Sequence, residues 1–195
     1  MNAIMSLARQ WAIHDVAPAR SVRIGLGIAA FAIMTSLSAY VAVPLPGTQV
    51  PMTLQSLFVI LAGAVLGPWA GAAAMVSYLS VGLAGAPVFS GGNAGLAWLL
   101  GPTGGYLIAF PAAACVVGLL AGGRGSGSLR VLAALFAGTF VIFVGGMAQL
   151  LVITGQDVAT VFALGVAPFM MGGVIKALIA LVVVRQIRPS GRKAS

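Results

Sequence analysis

Long apolar runs, separated by short breaks rich in proline, glycine and polar residues, dominate this sequence. A helix needs about 20 apolar residues to cross a bilayer, and prolines and glycines such as those at residues 44–47 stop helices. The pattern therefore predicts an all-α integral membrane protein with six transmembrane helices. The predicted spans cover about residues 22–43, 54–66, 68–85, 105–121, 131–153 and 168–184.

The spans divide the chain into three parts. Residues 1–21 are a predicted cytoplasmic leader, partly a surface helix, residues 22–188 are the six-helix membrane domain, and residues 189–195 are a basic cytoplasmic tail. The loop at residues 86–104 is rich in glycine but still apolar, so we expect it to fold back against the protein. A short surface helix is expected at residues 160–166.

The composition supports a membrane protein. Of 195 residues, 61% are hydrophobic and 6% are charged, whereas roughly 25% of the residues in an ordinary soluble domain are charged. One soluble domain of this composition could not solvate its surface. A β-barrel is disfavoured because its strands alternate between apolar and polar positions, while the apolar runs of this chain are continuous.

The cations predict the orientation. With both termini in the cytoplasm, nine of the ten lysines and arginines lie in cytoplasmic segments, and the outer loops at residues 43–53, 86–104 and 154–167 have none. The positive-inside rule then predicts a multi-pass protein of the plasma membrane with cytoplasmic N and C termini. Nucleic-acid binding is excluded as a function, because the cations flank apolar runs without interleaved aromatic residues. The nine are Arg9, Arg20, Arg23, Arg124, Arg130, Arg185, Arg188, Arg192 and Lys193.

Side chains for catalysis are scarce. His14 is the single histidine and lies in the leader, Asp15 and Asp157 are the two acids, and glutamate is absent. Neither a serine triad nor a histidine metal site can be assembled, and no G-x-x-x-x-G-K-[ST] phosphate loop is present. The lone Cys115 is expected to be a packed thiol. We therefore expect no enzyme activity, metal or cofactor.

The tenth cation, Lys176, lies inside the sixth predicted span. It is eight residues from Pro168 and nine from Arg185, which is about 12 to 13 Å from each in a helix. An ionisable residue at this depth usually marks a ligand or a transport pathway. Since neither aspartate lies in a span, we expect the carboxylate of a ligand to pair with Lys176. Two alternatives stay open: the side chain snorkels to the interface, or the Asp157 loop folds inward to pair with it.

Polar and aromatic residues complete the candidate binding site. Such side chains line small-molecule sites, although helix packing or loop capping explains each of them about as well. A membrane protein that holds an anion but has no energy source of its own suggests a binding subunit driven by another protein, or a passive facilitator. The candidates besides Lys176 are Gln55, Tyr78, Phe89, Gly92, Asn93, Trp98 and Tyr106.

Small residues on the first span offer a surface for a partner protein. Ala17, Ser21, Gly25 and Ala29 recur every fourth residue, and Ala32 and Ser36 follow on a nearby stripe. Small residues at this spacing let two helices approach closely. The predicted docking residues are Gly25, Ala29, Ala32 and Ser36, although close contact within the chain explains the pattern equally well.

Several short motifs occur together between residues 25 and 188. They are V-P-L-P with V-P-M-T-L-Q at residues 43–46 and 50–55, Y-L with G-A-P-V-F at 78–79 and 85–89, G-P-T-G-G-Y-L-I with F-P at 101–108 and 110–111, and P-F at 168–169 with Lys176. Together they resemble the BioY family, the biotin-specific S components of energy-coupling factor (ECF) transporters. The resemblance implies a six-helix membrane subunit that captures biotin from outside and works with a transmembrane coupling protein and two ATPases.

One position departs from the family pattern. The sixth helix of the family presents an Asp and a Lys around the ligand, in a pattern like P-F-x-x-G-D-x-x-K, whereas this chain has Gly173 in place of the acid. The resemblance implies that Lys176 pairs the carboxylate of biotin, while Asn93 and the backbone near Gly92 read its ring. Tyr78, Trp98 and Phe89 would pack its apolar body. The alternatives are uptake of a different small carboxylate, which Gly173 would permit, and a non-transporting membrane scaffold.

Overall fold

The computed structural model describes the backbone of residues 2–123 and 125–187, and the side chains of residues 20–123 and 125–187. The predictions for Arg124, Arg188 and the tail at residues 189–195 lie outside these residues, as do those for the side chains of the leader. The described residues form a mostly helical protein with one short β-hairpin. The helices are α1 (Asn2–Ser38), α2 (Gln55–Leu66), α3 (Pro68–Leu83), α4 (Gly95–Leu99), α5 (Gly104–Ile108), α6 (Phe110–Ala121), α7 (Ser128–Thr154), α8 (Val158–Gly165) and α9 (Ala167–Ile187).

Each predicted apolar run contains a helix, and four helical segments in the described part of the chain are long and apolar enough to cross a membrane. They are Arg20–Ser38, Gly104–Ala121, Ser128–Thr154 and Ala167–Ile187. Helix α2 is apolar but has only 12 residues, or about 18 Å, and α3 has 16 residues. Both are shorter than a straight crossing of a hydrocarbon core about 30 Å thick requires.

Helix α2 lies at the centre of the bundle, where it packs against α1, α3, α6, α7 and α9. Glycines bring its neighbours close: a Cβ on Gly63 would overlap the backbone of Ala114 in α6, and a Cβ on Gly71 of α3 would press on Gly63. Gly118 of α6 meets Pro68 at the start of α3 in the same way. These small residues let three helices approach closely, so the small residues at positions 63 and 71 serve contacts within the chain.

The β-hairpin and the glycine-rich loop close over one end of the bundle. Strands β1 (Ala42–Val43) and β2 (Met52–Thr53) pair antiparallel, with Ala42 opposite Thr53. The Tyr40 hydroxyl donates to the carbonyl of Pro87 at 2.6 Å, which joins the hairpin side to the loop that follows α3. The side-chain amide of Gln149 in α7 donates to the carbonyls of Leu99 and Gly101 at 2.8 and 2.7 Å. The glycine-rich loop therefore folds back against the protein, as its apolar character predicts.

Candidate functional site

A cavity lies between α2, α5, α6, α7 and α9, beneath the hairpin and the glycine-rich loop. The space between these elements, including the open space at its mouth, is about 720 Å³. Most of the lining is apolar, and polar side chains from several elements are set into it. The polar lining consists of Thr53, Gln55, Ser56, Ser90, Thr103, Thr139 and Lys176, and the aromatic lining of Trp98, Tyr106, Phe110, Phe143 and Phe169.

Lys176 brings a positive charge into this cavity from α9. Its Nζ donates to the backbone carbonyl of Thr53 at 2.5 Å and to the hydroxyl of Ser56 at 3.0 Å. An ammonium group has three N–H donors, so these two bonds to neutral oxygen atoms leave one donor. Among the described side chains no carboxylate lines the cavity. The charge of Lys176 is therefore solvated by the protein but has no counter-charge there.

The Asp157 loop does not fold inward to supply that counter-charge. Asp157 is exposed and caps α8, where its carboxylate accepts from the backbone N–H of Thr160 at 3.0 Å and from the Thr160 hydroxyl at 2.7 Å. These hydrogen bonds hold the pKa of the Asp157 carboxyl below its usual value. The structure thus places Asp157 in a local capping role, and the proposed pairing with Lys176 does not occur.

The N-terminus of α2 lies beside the Lys176 ammonium. Helix α2 begins at Gln55, and its N-cap, Leu54, provides no side-chain hydrogen bond to the first turn. The first N–H groups of a helix have no partner within the helix and carry the positive end of its dipole. Because Ser56 accepts from Lys176, its own hydroxyl proton stays available. An ammonium, a hydroxyl and a helix N-terminus together make this end of the cavity suitable for an anion.

Gln55 lines the cavity, whereas Tyr78 lies behind it. The Gln55 amide nitrogen donates to the Tyr78 hydroxyl at 2.5 Å, and its carbonyl oxygen accepts from the Thr53 hydroxyl at 3.0 Å. The Tyr78 hydroxyl in turn donates to the carbonyl of Val88 at 3.2 Å. Both side chains are fully buried, so Tyr78 reaches the cavity only through Gln55.

Aromatic rings supply the apolar walls and one further donor. The rings of Tyr106 and Phe169 lie 6.3 Å apart, and the Tyr106 hydroxyl is already bonded to the carbonyl of Gly165 at 2.6 Å. Trp98 differs, since its indole Nε1 is buried and has no hydrogen-bond partner among the described residues. Buried indole N–H groups usually find a partner. Trp98 therefore combines a place in the cavity lining with an indole N–H that has no partner in the described part of the chain.

The predicted residues of the glycine loop lie beside the cavity rather than in its lining. Asn93 uses its side-chain amide to close a turn on the carbonyl of Ser90 at 2.7 Å, and Gly92 supplies the positive φ of +77° that this turn needs. Phe89 is buried against Tyr78 and Gly82. Ser90, from the same turn, is the residue that reaches the cavity.

The structure thus brings Lys176, Gln55, Trp98 and Tyr106 together and leaves Tyr78, Phe89, Gly92 and Asn93 outside the lining. Sequence reasoning missed several lining residues. Ser56 was detectable, because it directly follows Gln55 at the predicted start of a span. The polar residues Thr103 and Thr139 have no such signal, since each lies on a separate element that only the fold brings to the cavity.

Gly173 of α9 stands where the BioY-like pattern has an acid. It borders both the cavity and a second, apolar groove between α7, α8 and α9. A Cβ at this position would lie 3.1 Å from the Cγ2 of Thr139 and 3.3 Å from the Cζ of Phe143. Those contacts are tight but can be accommodated by small shifts. The missing side chain therefore lets α7 and α9 approach closely one turn before Lys176.

The predicted docking residues divide between two surroundings on α1. Gly25 and Ala29 are exposed, and no other described residue lies within 4 Å of a Cβ built on Gly25. Ala32 and Ser36 are half-buried, and the Ser36 hydroxyl donates to the Ala32 carbonyl at 2.9 Å. Gly27 faces Leu66 of α2 instead. The exposed small-residue surface of α1 therefore centres on Gly25 and Ala29.

Comparison with known proteins gives one consistent result. Residues 11–193 match the model of the BioY family. A probable biotin transporter BioY from Pyrococcus horikoshii is 41% identical over 161 residues, which cover 83% of this chain and 93% of that protein. The biotin transporter BioY of Thermotoga maritima is 34% identical over 158 residues, covering 81% and 91% of the two chains.

A solved structure has the same fold. The crystal structure of an S-component for biotin from an ECF-type ABC transporter superposes with a TM-score of 0.79 at 26% sequence identity. The match covers 89% of this chain and 94% of that one. The resemblance that the sequence motifs indicate is thereby confirmed over nearly the whole chain.

Proposed function

This chain belongs to the BioY family, and from that premise we propose that it captures biotin at the outer face of the plasma membrane as the substrate-binding subunit of an uptake system. The observation that carries the proposal is the unbalanced charge of Lys176 in a largely apolar cavity. Biotin joins a carboxylate to an apolar chain and a polar ring, and this cavity offers a complementary partner for each part.

The ligand's carboxylate belongs at the Lys176 end of the cavity. There it would receive the third N–H of Lys176, the hydroxyl of Ser56 and the first two backbone N–H groups of α2, since the third is bonded to the Leu54 carbonyl. Hydrogen bonds that involve a charged group are roughly twice as strong as neutral ones. The aromatic walls of Tyr106, Phe110 and Phe169 then take the apolar chain.

The ring of biotin belongs near the outer loops, where Trp98, Ser90 and Thr103 line the cavity. The unpartnered Nε1 of Trp98 would donate to the ring carbonyl. Asn93, Gly92 and Phe89 contribute by shaping the turn that carries Ser90. Tyr78 contributes through Gln55.

The proposed topology has six membrane helices with both termini in the cytoplasm. It assigns residues 1–21 to the leader, 22–188 to the substrate-binding domain and 189–195 to the tail. Arg20 and Arg23 lie at the N-terminal end of the first candidate span, Arg130 lies in the first turn of α7 and Arg185 in the last turn of α9. This distribution supports a cytoplasmic position for those helix ends, while the cavity loops join the opposite ends.

The proposed partners are a transmembrane coupling protein and ATPase subunits, because the chain itself has no nucleotide-binding motif. The exposed surface around Gly25 and Ala29 suits a helix of the coupling protein, since small residues permit close approach. Ala32 and Ser36 border that surface but also pack within the chain.

Calorimetry on the purified protein tests the proposed function. We expect the wild type to bind biotin and the Lys176→Met variant, which keeps most of the aliphatic stem, to bind at least tenfold more weakly. Biotinamide, which lacks the carboxylate charge, should bind both proteins about equally weakly. Absence of binding to the wild type would contradict the biotin assignment, and an unchanged affinity in the variant would contradict the role of Lys176.

Competition experiments distinguish biotin from a different small carboxylate as the cargo. If dethiobiotin or another small carboxylate binds more tightly than biotin, the cargo is a different small carboxylate. If none of these ligands binds, a non-transporting membrane scaffold becomes the better interpretation.

A further inference from the structure

Hydrogen bonds that use both the backbone carbonyl and the side-chain hydroxyl of Thr53 link Lys176 to a tyrosine behind the cavity wall. Lys176 donates to the carbonyl of Thr53, and the Thr53 hydroxyl donates to the Gln55 carbonyl oxygen. The Gln55 amide nitrogen donates to the Tyr78 hydroxyl, which donates to the backbone carbonyl of Val88. The network therefore runs from α9 through β2 and α2 to α3 and the outer loop.

The carbonyl of Val88 determines which groups donate and which accept in the hydrogen bonds of Tyr78, Gln55 and Thr53. A backbone carbonyl can only accept, so the single hydroxyl proton of Tyr78 goes to Val88. The Tyr78 oxygen must then accept from Gln55, and of the two ends of an amide only the nitrogen can donate. The Gln55 carbonyl oxygen consequently points to Thr53, whose hydroxyl becomes the donor.

Burial makes this arrangement costly to change. Tyr78 and Gln55 are 1% and 2% exposed, so water cannot replace a bond that is lost between them. A rotated Gln55 amide would place two acceptors against each other at Tyr78 unless the bond to Val88 were given up, and an unsatisfied buried group is unfavourable.

We propose that Tyr78 is a positioning residue whose hydroxyl fixes the orientation of the Gln55 amide, and so determines which hydrogen-bonding groups the cavity presents beside Lys176. The inference rests on the proposed function, because it concerns the same ligand site. With the amide held in this way, Gln55 retains one N–H, while the Thr53 hydroxyl proton is used within the protein and its oxygen can only accept. Without the Tyr78 hydroxyl, the Gln55 amide can rotate so that its nitrogen donates to the Thr53 hydroxyl oxygen. The Thr53 hydroxyl proton then becomes available to the cavity.

A second tyrosine provides a matched control. Tyr40 donates to the carbonyl of Pro87, the residue before Val88, at 2.6 Å. It therefore supports the same loop, while the side-chain partners of Gln55 are Tyr78 and Thr53. If Tyr78 acted only by supporting the loop, Tyr40→Phe and Tyr78→Phe would behave alike.

A double-mutant cycle on biotin affinity tests the inference. We expect Tyr78→Phe to weaken binding roughly fivefold to tenfold in the wild-type background, and to have almost no further effect in a Gln55→Leu background. Tyr40→Phe should change the affinity by the same small factor in both backgrounds. Equal effects of Tyr78→Phe in the two backgrounds would overturn the positioning role.

A measurement on the wild-type protein covers the case in which Tyr78→Phe does not fold. In protein labelled with ¹⁵N-glutamine, the Gln55 side-chain amide protons should show nuclear Overhauser effects to the Tyr78 ring rather than to the Thr53 methyl group. The opposite pattern would overturn the inference. If the wild type does not bind biotin at all, the proposed function fails and this inference fails with it; binding with a rotated amide would overturn the inference alone.

Discussion

At the scale of single residues, the cavity is lined by residues whose polar groups lack a full set of partners within the described protein. Lys176 contacts only neutral oxygen atoms, those of Thr53 and Ser56, and Trp98 directs a buried N–H to no described acceptor. Burying such groups is unfavourable unless they gain partners. A ligand that brings a carboxylate and a carbonyl oxygen would satisfy both, which links the chemistry of the cavity to that of biotin.

The donor of Trp98 leads to a prediction at this scale. Trp98→Phe keeps an aromatic wall but removes the indole N–H, so we expect biotin affinity to fall about threefold to tenfold. Trp69, which is 77% exposed, provides the control, and Trp69→Phe should bind like the wild type. Tryptophan fluorescence gives a second measurement: biotin should change the emission of the wild type and of Trp69→Phe, and much less that of Trp98→Phe. Wild-type affinity in Trp98→Phe would contradict the assignment.

At the scale of elements, glycine contacts determine how closely the central helices approach. Gly63 of α2 lies against α6 on one side and against Gly71 of α3 on the other. Because lipid is as apolar as the side chains, close van der Waals contact between helices is a main source of stability in a membrane. The site depends on these contacts, since α2 carries Gln55 and Ser56 to the cavity.

Substitution of Gly63 tests how much these close contacts contribute to stability. The added methyl group of Gly63→Ala would overlap the Ala114 backbone, so we expect the free energy of unfolding to fall by about 1 to 3 kcal/mol. Gly25→Ala is the matched control, because it adds a methyl group to a helical glycine that faces no other described residue. It should leave stability unchanged or slightly raised, since alanine favours a helix more than glycine does. Thermal unfolding in detergent measures both, and equal losses in the two variants would refute the contact argument.

At the scale of the whole molecule, helices of unequal length surround the cavity that contains Lys176. Four segments can span a bilayer by length and composition in the part of the chain that the structure describes, while α2 and α3 are shorter. The short α2 begins at the cavity, so its N-terminus lies beside Lys176. A shortened helix therefore brings backbone N–H groups and a hairpin carbonyl into the site.

The proposed topology predicts which loops face outward. In a Cys115→Ala background, a cysteine at Gln49 should react with a membrane-impermeant maleimide in intact cells, because residue 49 lies in an outer loop and is exposed. A cysteine at Ser128, the first residue of α7 and also exposed, should react only after the membrane is permeabilised. Reaction at Ser128 in intact cells would place that helix end outside and contradict the orientation.

The sequence by itself determined the membrane character, the order of the helical runs and the unusual position of Lys176. These features depend on local composition: continuous apolar runs, cations confined to certain breaks, and the scarcity of acids. The motifs were also enough to identify the family, because they combine residues from most of the chain. None of this requires knowing how the helices are rotated against one another.

Only the tertiary structure decided which residues share the cavity. Tyr78 and Phe89 lie behind it and Asn93 closes a turn beside it, while Thr103 enters it from the turn before α5 and Thr139 from α7. The reason is physical: helix rotation and loop position follow from long-range contacts, such as Gly63 with Ala114 or Gln149 with Leu99. A period of apolar residues cannot specify those contacts when a membrane helix is apolar on every side.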